Sequence, residues 1–207
     1  MNVLAGACAL ALSLATGAAL SQVIEFDSGG LKYQTLTKSS ITVMYADLPT
    51  QLRSYAIIQV SVSNGSGAPY NIRPEDFTFV RDSFGPLRAA SADSVVQVLL
   101  KHGGGSDVLK LVTAYETALY GVPNMRSTNG YEQRRQAAVL FGPAKVRAAA
   151  TASAVAFVRT KLIPGESTDG AVFFPTDGKA LGPGRLLVRT NTDTFEFNHQ
   201  SGPAPNR

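Results

Sequence analysis

The stretch AIIQVSVSNGSG, residues 56–67, decides the fold class of this chain. Apolar side chains recur at every second position over residues 56–62, and polar side chains alternate with them over residues 59–63. This period of two is the spacing of a β-strand with one buried face. Residues 64–67, NGSG, then favour a turn. The stretch therefore predicts a half-buried strand that ends in a tight turn.

Runs with similar spacing lie before and after this stretch. A second clear strand is predicted at residues 41–45, and Phe77 and Phe79 share one face of another. Further candidate strands are residues 23–26, 31–36, 157–162, 171–174, 186–190 and 194–197, with a short run at Leu87. Short strands separated by Gly/Pro turns are typical of a β-sandwich.

The apolar period changes to that of a helix between the two groups of strands. Ser91 is placed to cap a first helix, which runs from about residue 92 to 102 and ends at the glycines of residues 103–105. A second helix is predicted from residue 106 or 107 to Gly121. The third and fourth are predicted at residues 131–141 and 144 to about 156, and the fourth is so rich in alanine that it should pack very close to its neighbours.

The first 21 residues, MNVLAGACALALSLATGAALS, carry no charge and resemble the apolar core and cleavage region of an export signal. We expect cleavage before Gln22. The basic region that usually begins such a signal is missing, which leaves two alternatives: a mis-assigned start codon and an uncleaved anchor, since residues 3–20 reach the ~18 residues of a membrane span. Residues 5–8, AGAC, also loosely resemble a lipoprotein motif. Cys8 is the only cysteine. A cleaved chain would therefore have no disulfide, no thiol nucleophile and no cysteine-bound metal.

Several strand motifs occur together in a known pattern. Residues 58–66 form a strand followed by an Asn/Ser turn, residues 74–77 read PEDF, and residues 162–167, LIPGES, lead into GAVFF at 170–174. This series resembles bacterial exported immunoglobulin-like domains of unknown function. The resemblance implies a mainly β fold with an α insertion, namely an immunoglobulin-like antiparallel β-sandwich with a helical block inserted between two strands. It also implies an exported, periplasmic or extracellular protein that works in binding or assembly.

The domain boundaries follow from these assignments. Residues 1–21 are the expected signal peptide and residues 22–197 the expected domain. The helical insertion covers about residues 89–156, and residues 198–207 are expected to form a flexible polar tail.

The residues give no pattern for a catalytic site, a cofactor or a metal. His102 and His199 both lie outside patterned segments, so we expect them to be solvated and unable to activate a serine. Ser167 lies beside acidic residues in LIPGESTDGAVFFP, but Pro164 and Gly165 favour a type II turn there. The acids Asp76, Asp82, Glu166 and Asp169 are interpreted as turn carboxylates that bond nearby backbone amides. Calcium binding through them is the alternative, although no Asp-x-Asp-x-Asp-Gly loop is present. A hydrolase of unrecognised type remains the competing enzyme hypothesis.

Positive charge is concentrated in the helical block. The whole chain has a formal net charge of +4, and residues 88–161 contain ten Lys/Arg against four Asp/Glu. We predict a partner-binding basic face formed by Arg134, Arg135, Lys145 and Arg147. Its partner would be an unknown envelope protein or an anionic envelope surface, not nucleic acid. The alternatives are a merely solvated helix face and, if residues 1–21 are retained, a membrane-attached accessory subunit.

Overall fold

The computed structural model describes residues 22–123, 125–140 and 142–200. The expected export signal, Cys8 and residues 201–207 of the tail lie outside the described residues. The strands are β1 (Ile24–Ser28), β2 (Leu31–Lys38), β3 (Ile41–Leu52), β4 (Tyr55–Asn64), β5 (Tyr70–Ile72), β6 (Phe77–Arg81), β7 (Leu87–Arg88), β8 (Thr160–Leu162), β9 (Ser167–Pro175), β10 (Gly184–Arg189) and β11 (Thr194–His199). The helices are α1 (Ala92–His102), α2 (Gly105–Gly121), α3 (Tyr131–Leu140) and α4 (Ala144–Val155), and Pro74–Asp76 form one 3-10 turn.

The strands form three antiparallel sheets. The largest has five strands in the order β1-β2-β3-β4-β9, and the second has four in the order β11-β10-β6-β7. Strands β5 and β8 pair separately. All four helices lie between β7 and β8 in the chain. The prediction of a mainly β fold with helices between two groups of strands is confirmed at this level.

A first core lies between the five-stranded and four-stranded sheets. Its members alternate along the strands with residues of the opposite face, as a period of two requires. Phe77 and Phe79 of β6 and Phe195 and Phe197 of β11 are fully buried against strands of the other sheet. Burial of each such ring contributes about 1.5–3 kcal/mol before entropy is counted. This core holds the two sheets together.

A second core lies on the other face of the five-stranded sheet, beneath the helices. Tyr33 of β2, Ile57 of β4 and Phe173 of β9 pack there against Leu99 of α1 and Leu119 of α2. The central strands of the sheet are thereby covered on both faces, and the described residues form three layers.

This second core corrects one prediction. Strand β4 was expected to be half-buried, but it is buried on both faces over residues 55–60, and Gln59 has no exposed surface. Gln59 donates from its side-chain amide to the carbonyl of Val60. A polar residue in an alternating strand indicates a solvated face only if no other layer covers that face, and here helices cover it.

The helix limits agree with the sequence predictions. The Ser91 hydroxyl accepts the backbone N–H of Ser94, and Gly103 follows the last residue of α1. Helix α4 packs against the other three helices through buried alanines. A Cβ added at Gly103 would lie 3.0 Å from the Cβ of Ala148, so α1 and α4 approach closely because both positions are small. The close packing predicted for the alanine-rich helix is confirmed.

The end of the chain differs from the prediction. Strand β11 continues through Asn198 to His199, two residues that were assigned to the tail. His199 extends the inward-facing series of Phe195 and Phe197 and is only 7% exposed. The expectation that His199 is solvated is therefore wrong, whereas His102 at the end of α1 is exposed as expected.

Candidate functional site

The residues of LIPGESTDGAVFFP form a corner and the start of β9. Gly165 has a φ of +84°, and the Glu166 N–H donates to the Ile163 carbonyl, so the predicted turn is confirmed. Ser167 shares a hydrogen bond of 2.8 Å with the Ser63 hydroxyl of the neighbouring strand. This contact makes Ser167 a cross-strand partner within the five-stranded sheet.

Asp169 of β9, which is buried, is the centre of a polar cluster. The Tyr115 hydroxyl of α2 donates to one carboxylate oxygen at 2.5 Å, and the Thr128 N–H donates to the other at 2.8 Å. The Ser127 hydroxyl lies 3.3 Å from both oxygens, and the Asn129 amide donates to the Asp169 carbonyl. We call these five residues the Asp169 cluster. It joins the sheet to α2 and to the loop before α3.

The Asp169 cluster has the properties of an anchor. Asp169 is 3% exposed, and its carboxylate is satisfied by hydroxyl and amide donors, as a buried charge requires. The ring of Tyr115 packs edge-to-face on Tyr131, with 4.8 Å between ring centroids. Burial raises the pKa of Tyr115, and the carboxylate of Asp169 raises it further. The hydroxyl therefore remains a donor at any physiological pH.

The turn interpretation is correct for two of the four acids and wrong for Asp169 and Asp82; the exposed Asp82 side chain accepts no backbone amide among the described residues. Asp76 accepts the Arg73 N–H, and Glu166 accepts the Ile163 N–H, so both bond nearby amides as expected. Asp169 lies inside a strand, where no local turn amide is within reach. Its partners come from the helical layer, which sequence spacing alone does not place there.

A second polar group joins the two large sheets at His199. The Nε2 atom of His199 lies 3.0 Å from a carboxylate oxygen of Asp47 in β3, and the Tyr45 hydroxyl lies 3.4 Å from Nδ1. Along the same seam, side chains of β2 bond carbonyls of β11: Gln34 bonds Asn198, and Lys38 bonds Thr194. These contacts cover carbonyls of the edge strand β11 and close this side of the molecule.

The four residues of the predicted basic face occupy two different settings. Arg134 of α3 donates to the Ala154 carbonyl in the last turn of α4, and Arg135 forms an ion pair of 2.8 Å with Glu116 of α2. Both guanidinium groups thus hold α3 on its neighbours. Within the described part of the chain, Lys145 and Arg147 have neither a hydrogen-bond nor an ion-pair partner. The structure therefore does not bring the four together as one free surface.

Lys145 and Arg147 lie in the first turn of α4 on either side of Val146. Val146 is 39% exposed, and Leu140 at the end of α3 is 63% exposed. No acidic residue lies in the first turn of α4, and no side chain caps it. Cations near a helix N-terminus are unfavourable, because the helix dipole is positive at that end. The stability of α4 therefore does not account for these two charges.

The last turn of α1, which carries Lys101, ends beside α4. Gly103, two residues after Lys101 of α1, contacts Ala148 of α4, one residue beyond Arg147. Lys101 is exposed and has no partner among the residues that the structure describes. We call Lys101, Leu140, Lys145, Val146 and Arg147 the basic end of the helical layer. It combines unpaired cations with exposed apolar side chains.

Comparison of the chain with protein-family models, with curated proteins and with solved structures gave no match. Over residues 22–123, 125–140 and 142–200, no helix is long and apolar enough to cross a membrane. In the same ranges, no group of three His, Cys, Asp or Glu side chains is arranged to hold a metal ion.

Proposed function

We propose that this protein is an exported, non-enzymatic binding module that docks on an anionic surface of the bacterial cell envelope. The basic end of the helical layer is the contact surface. The observation that carries this proposal is the pair of unpaired cations, Lys145 and Arg147, on either side of the exposed Val146. A surface of this composition favours contact with anionic lipid or polymer, because cations meet the charged groups and apolar side chains enter the boundary layer.

The strength of this contact follows from the small number of charges. Each Lys or Arg near an anionic membrane surface contributes about 1 kcal/mol. Three cations and two apolar side chains thus favour weak, reversible and salt-dependent docking. The positive end of the α4 dipole adds to the same field.

The proposed fold family is the immunoglobulin-like β-sandwich, with the helical layer as its added part. Two antiparallel sheets that share one core support this assignment. The corner at residues 162–167 supports it as well, because it returns the chain from the helical layer to β9 as the motif pattern implies.

The docking proposal predicts a specific loss on charge reversal. Lys145→Glu/Arg147→Glu is expected to weaken binding to phosphatidylglycerol vesicles by at least about tenfold, because two of three attractive charges become repulsive. Co-sedimentation at low and moderate salt measures this change. Neither protein is expected to bind phosphatidylcholine vesicles.

The matched control for this experiment is Arg159→Glu/Lys161→Glu. It changes the net charge equally at two other exposed residues, outside the basic end. If vesicle binding falls as much in the control as in Lys145→Glu/Arg147→Glu, the loss is a general effect of net charge. If Lys145→Glu/Arg147→Glu binds the vesicles as well as the unsubstituted protein, the docking surface is refuted.

The proposed export and signal cleavage predict where the mature chain begins. Expressed in a bacterium with its full sequence, the protein recovered from the periplasm or medium should begin at or near Gln22. Mass spectrometry of the intact chain measures this mass. An unprocessed Met1 or a lipid-modified Cys8 in the recovered protein would contradict cleavage at this site.

A further inference from the structure

A cleft lies on the outer face of the four-stranded sheet, away from both cores. Its volume is about 310 Å³. It is lined by Glu75, Asp76, Thr78, Arg88, Ala89 and Arg189. Pockets for small ligands begin at about 300 Å³, so this cleft has the size for a ligand of a few heavy atoms.

The strand register places two arginines around one hydroxyl. Arg88 of β7 lies directly opposite Thr78 of β6, and Thr78 lies opposite Leu187 of β10 on its other side. Arg189 is two positions beyond Leu187 and therefore faces the same way. Directly opposite and diagonal neighbours on a sheet face are both within reach of long side chains. The two arginines therefore flank Thr78 on one face of the sheet, and all three line the cleft.

The charges in the cleft are incompletely paired. Arg88 and Arg189 have no hydrogen-bond or ion-pair partner in the described ranges of the chain, and neither does Glu75. Asp76, by contrast, forms an ion pair of 2.9 Å with Arg73. Arg185, on the same strand and face as Arg189, pairs with Glu196 at 2.7 Å. The cleft therefore presents two cations and one anion that lack an ion-pair partner, although Arg185 on the same sheet face is neutralised.

We propose that this cleft binds a small zwitterion of the α-amino acid type. The ligand carboxylate lies between Arg88 and Arg189, whose planar groups match a carboxylate with two N–H donors each. The ligand ammonium lies at Glu75. This orientation pairs every free charge that lines the cleft, whereas phosphate or a simple carboxylate would leave Glu75 opposed to an anion. The cleft lies on a different layer from the basic end, so the two sites are independent.

Titration followed by amide NMR shifts tests the ligand class. L-alanine is expected to shift amides of β6, β7 and β10 and to bind more tightly than propionate, which lacks the ammonium, and than inorganic phosphate. No shift with tens of millimolar L-alanine overturns the site. Propionate or phosphate that binds as tightly as L-alanine overturns its assignment to a zwitterion.

Substitutions test the residues. Arg88→Gln and Arg189→Gln should each weaken L-alanine binding by at least about tenfold, because each removes a charge-assisted hydrogen bond. Glu75→Gln should weaken L-alanine but not propionate. Arg185→Gln, the control on the same face, should leave binding unchanged. The proposal is contradicted if Arg88→Gln and Arg189→Gln bind L-alanine as tightly as the unsubstituted protein, or if Arg185→Gln loses as much affinity as they do. Vesicle docking, measured in parallel, reports on the basic end separately.

Discussion

Replacement of Gly170 by alanine is expected to lower the free energy of unfolding by about 3 kcal/mol or more. Gly170 lies in β9 where the chain passes Phe157 on its return from α4. A Cβ at this position would lie 2.4 Å from the Phe157 Cα and 2.6 Å from its nitrogen. Backbone atoms cannot rotate away, and the Phe157 N–H is bonded to the Ala171 carbonyl. Strand β9 or the crossing segment must therefore shift.

Urea denaturation followed by circular dichroism measures this loss. Gly67→Ala is the control, because no atom lies within 4 Å of its added Cβ and its φ is not positive. The control should leave stability nearly unchanged or raise it slightly through the unfolded state. Wild-type stability of Gly170→Ala would show that the crossing at Phe157 is not tight.

The second large effect is expected at the Asp169 cluster. Asp169→Ala should also lower the free energy of unfolding by about 3 kcal/mol, because it leaves the buried Tyr115 hydroxyl without its acceptor and removes the bond that holds the Thr128 N–H of the loop. Tyr115→Phe removes one donor and should cost about 1–2 kcal/mol. The loop at residues 125–130 should lose protection in hydrogen exchange in Asp169→Ala, since its amide at Thr128 is then unpaired.

Asp82→Ala is the matched control for Asp169. Asp82 is exposed, and its side chain has no partner among the described residues, so its removal should change stability by less than about 0.5 kcal/mol. A loss at Asp169→Ala no larger than at Asp82→Ala would mean that the helical layer is held by its apolar core alone.

The sequence predicted those features that depend on neighbours along the chain. Ser91 and Gly103 mark the ends of α1 because caps act within one turn. Gly165 marks the corner because a type II turn needs a positive φ at this position, and glycine adopts that φ without strain whatever its distant neighbours are. The alternation in β4, β6 and β11 placed their inner residues correctly for the same reason, since the period of two is a local property.

Features that depend on distant partners were not predictable in this way. Tyr115 and Thr128 are 54 and 41 residues from Asp169, and His199 is 154 residues from Tyr45. Gln59 was interpreted as a solvent-facing residue because nothing nearby in sequence indicates that helices cover its face. The free arginines of the cleft share one face only because β6, β7 and β10 are neighbours in the sheet.

The double burial of the five-stranded sheet limits how this chain can vary. The helical layer occupies one continuous segment of sequence, yet its apolar side chains share one core with a whole face of the central strands. A relative without the four helices would present Tyr33, Ile57 and Phe173 to water as one wide apolar plate. Loss of the helices is therefore compatible with a soluble descendant only if these positions become polar at the same time. The presence of the helices and the apolar character of that sheet face are therefore physically coupled in this chain.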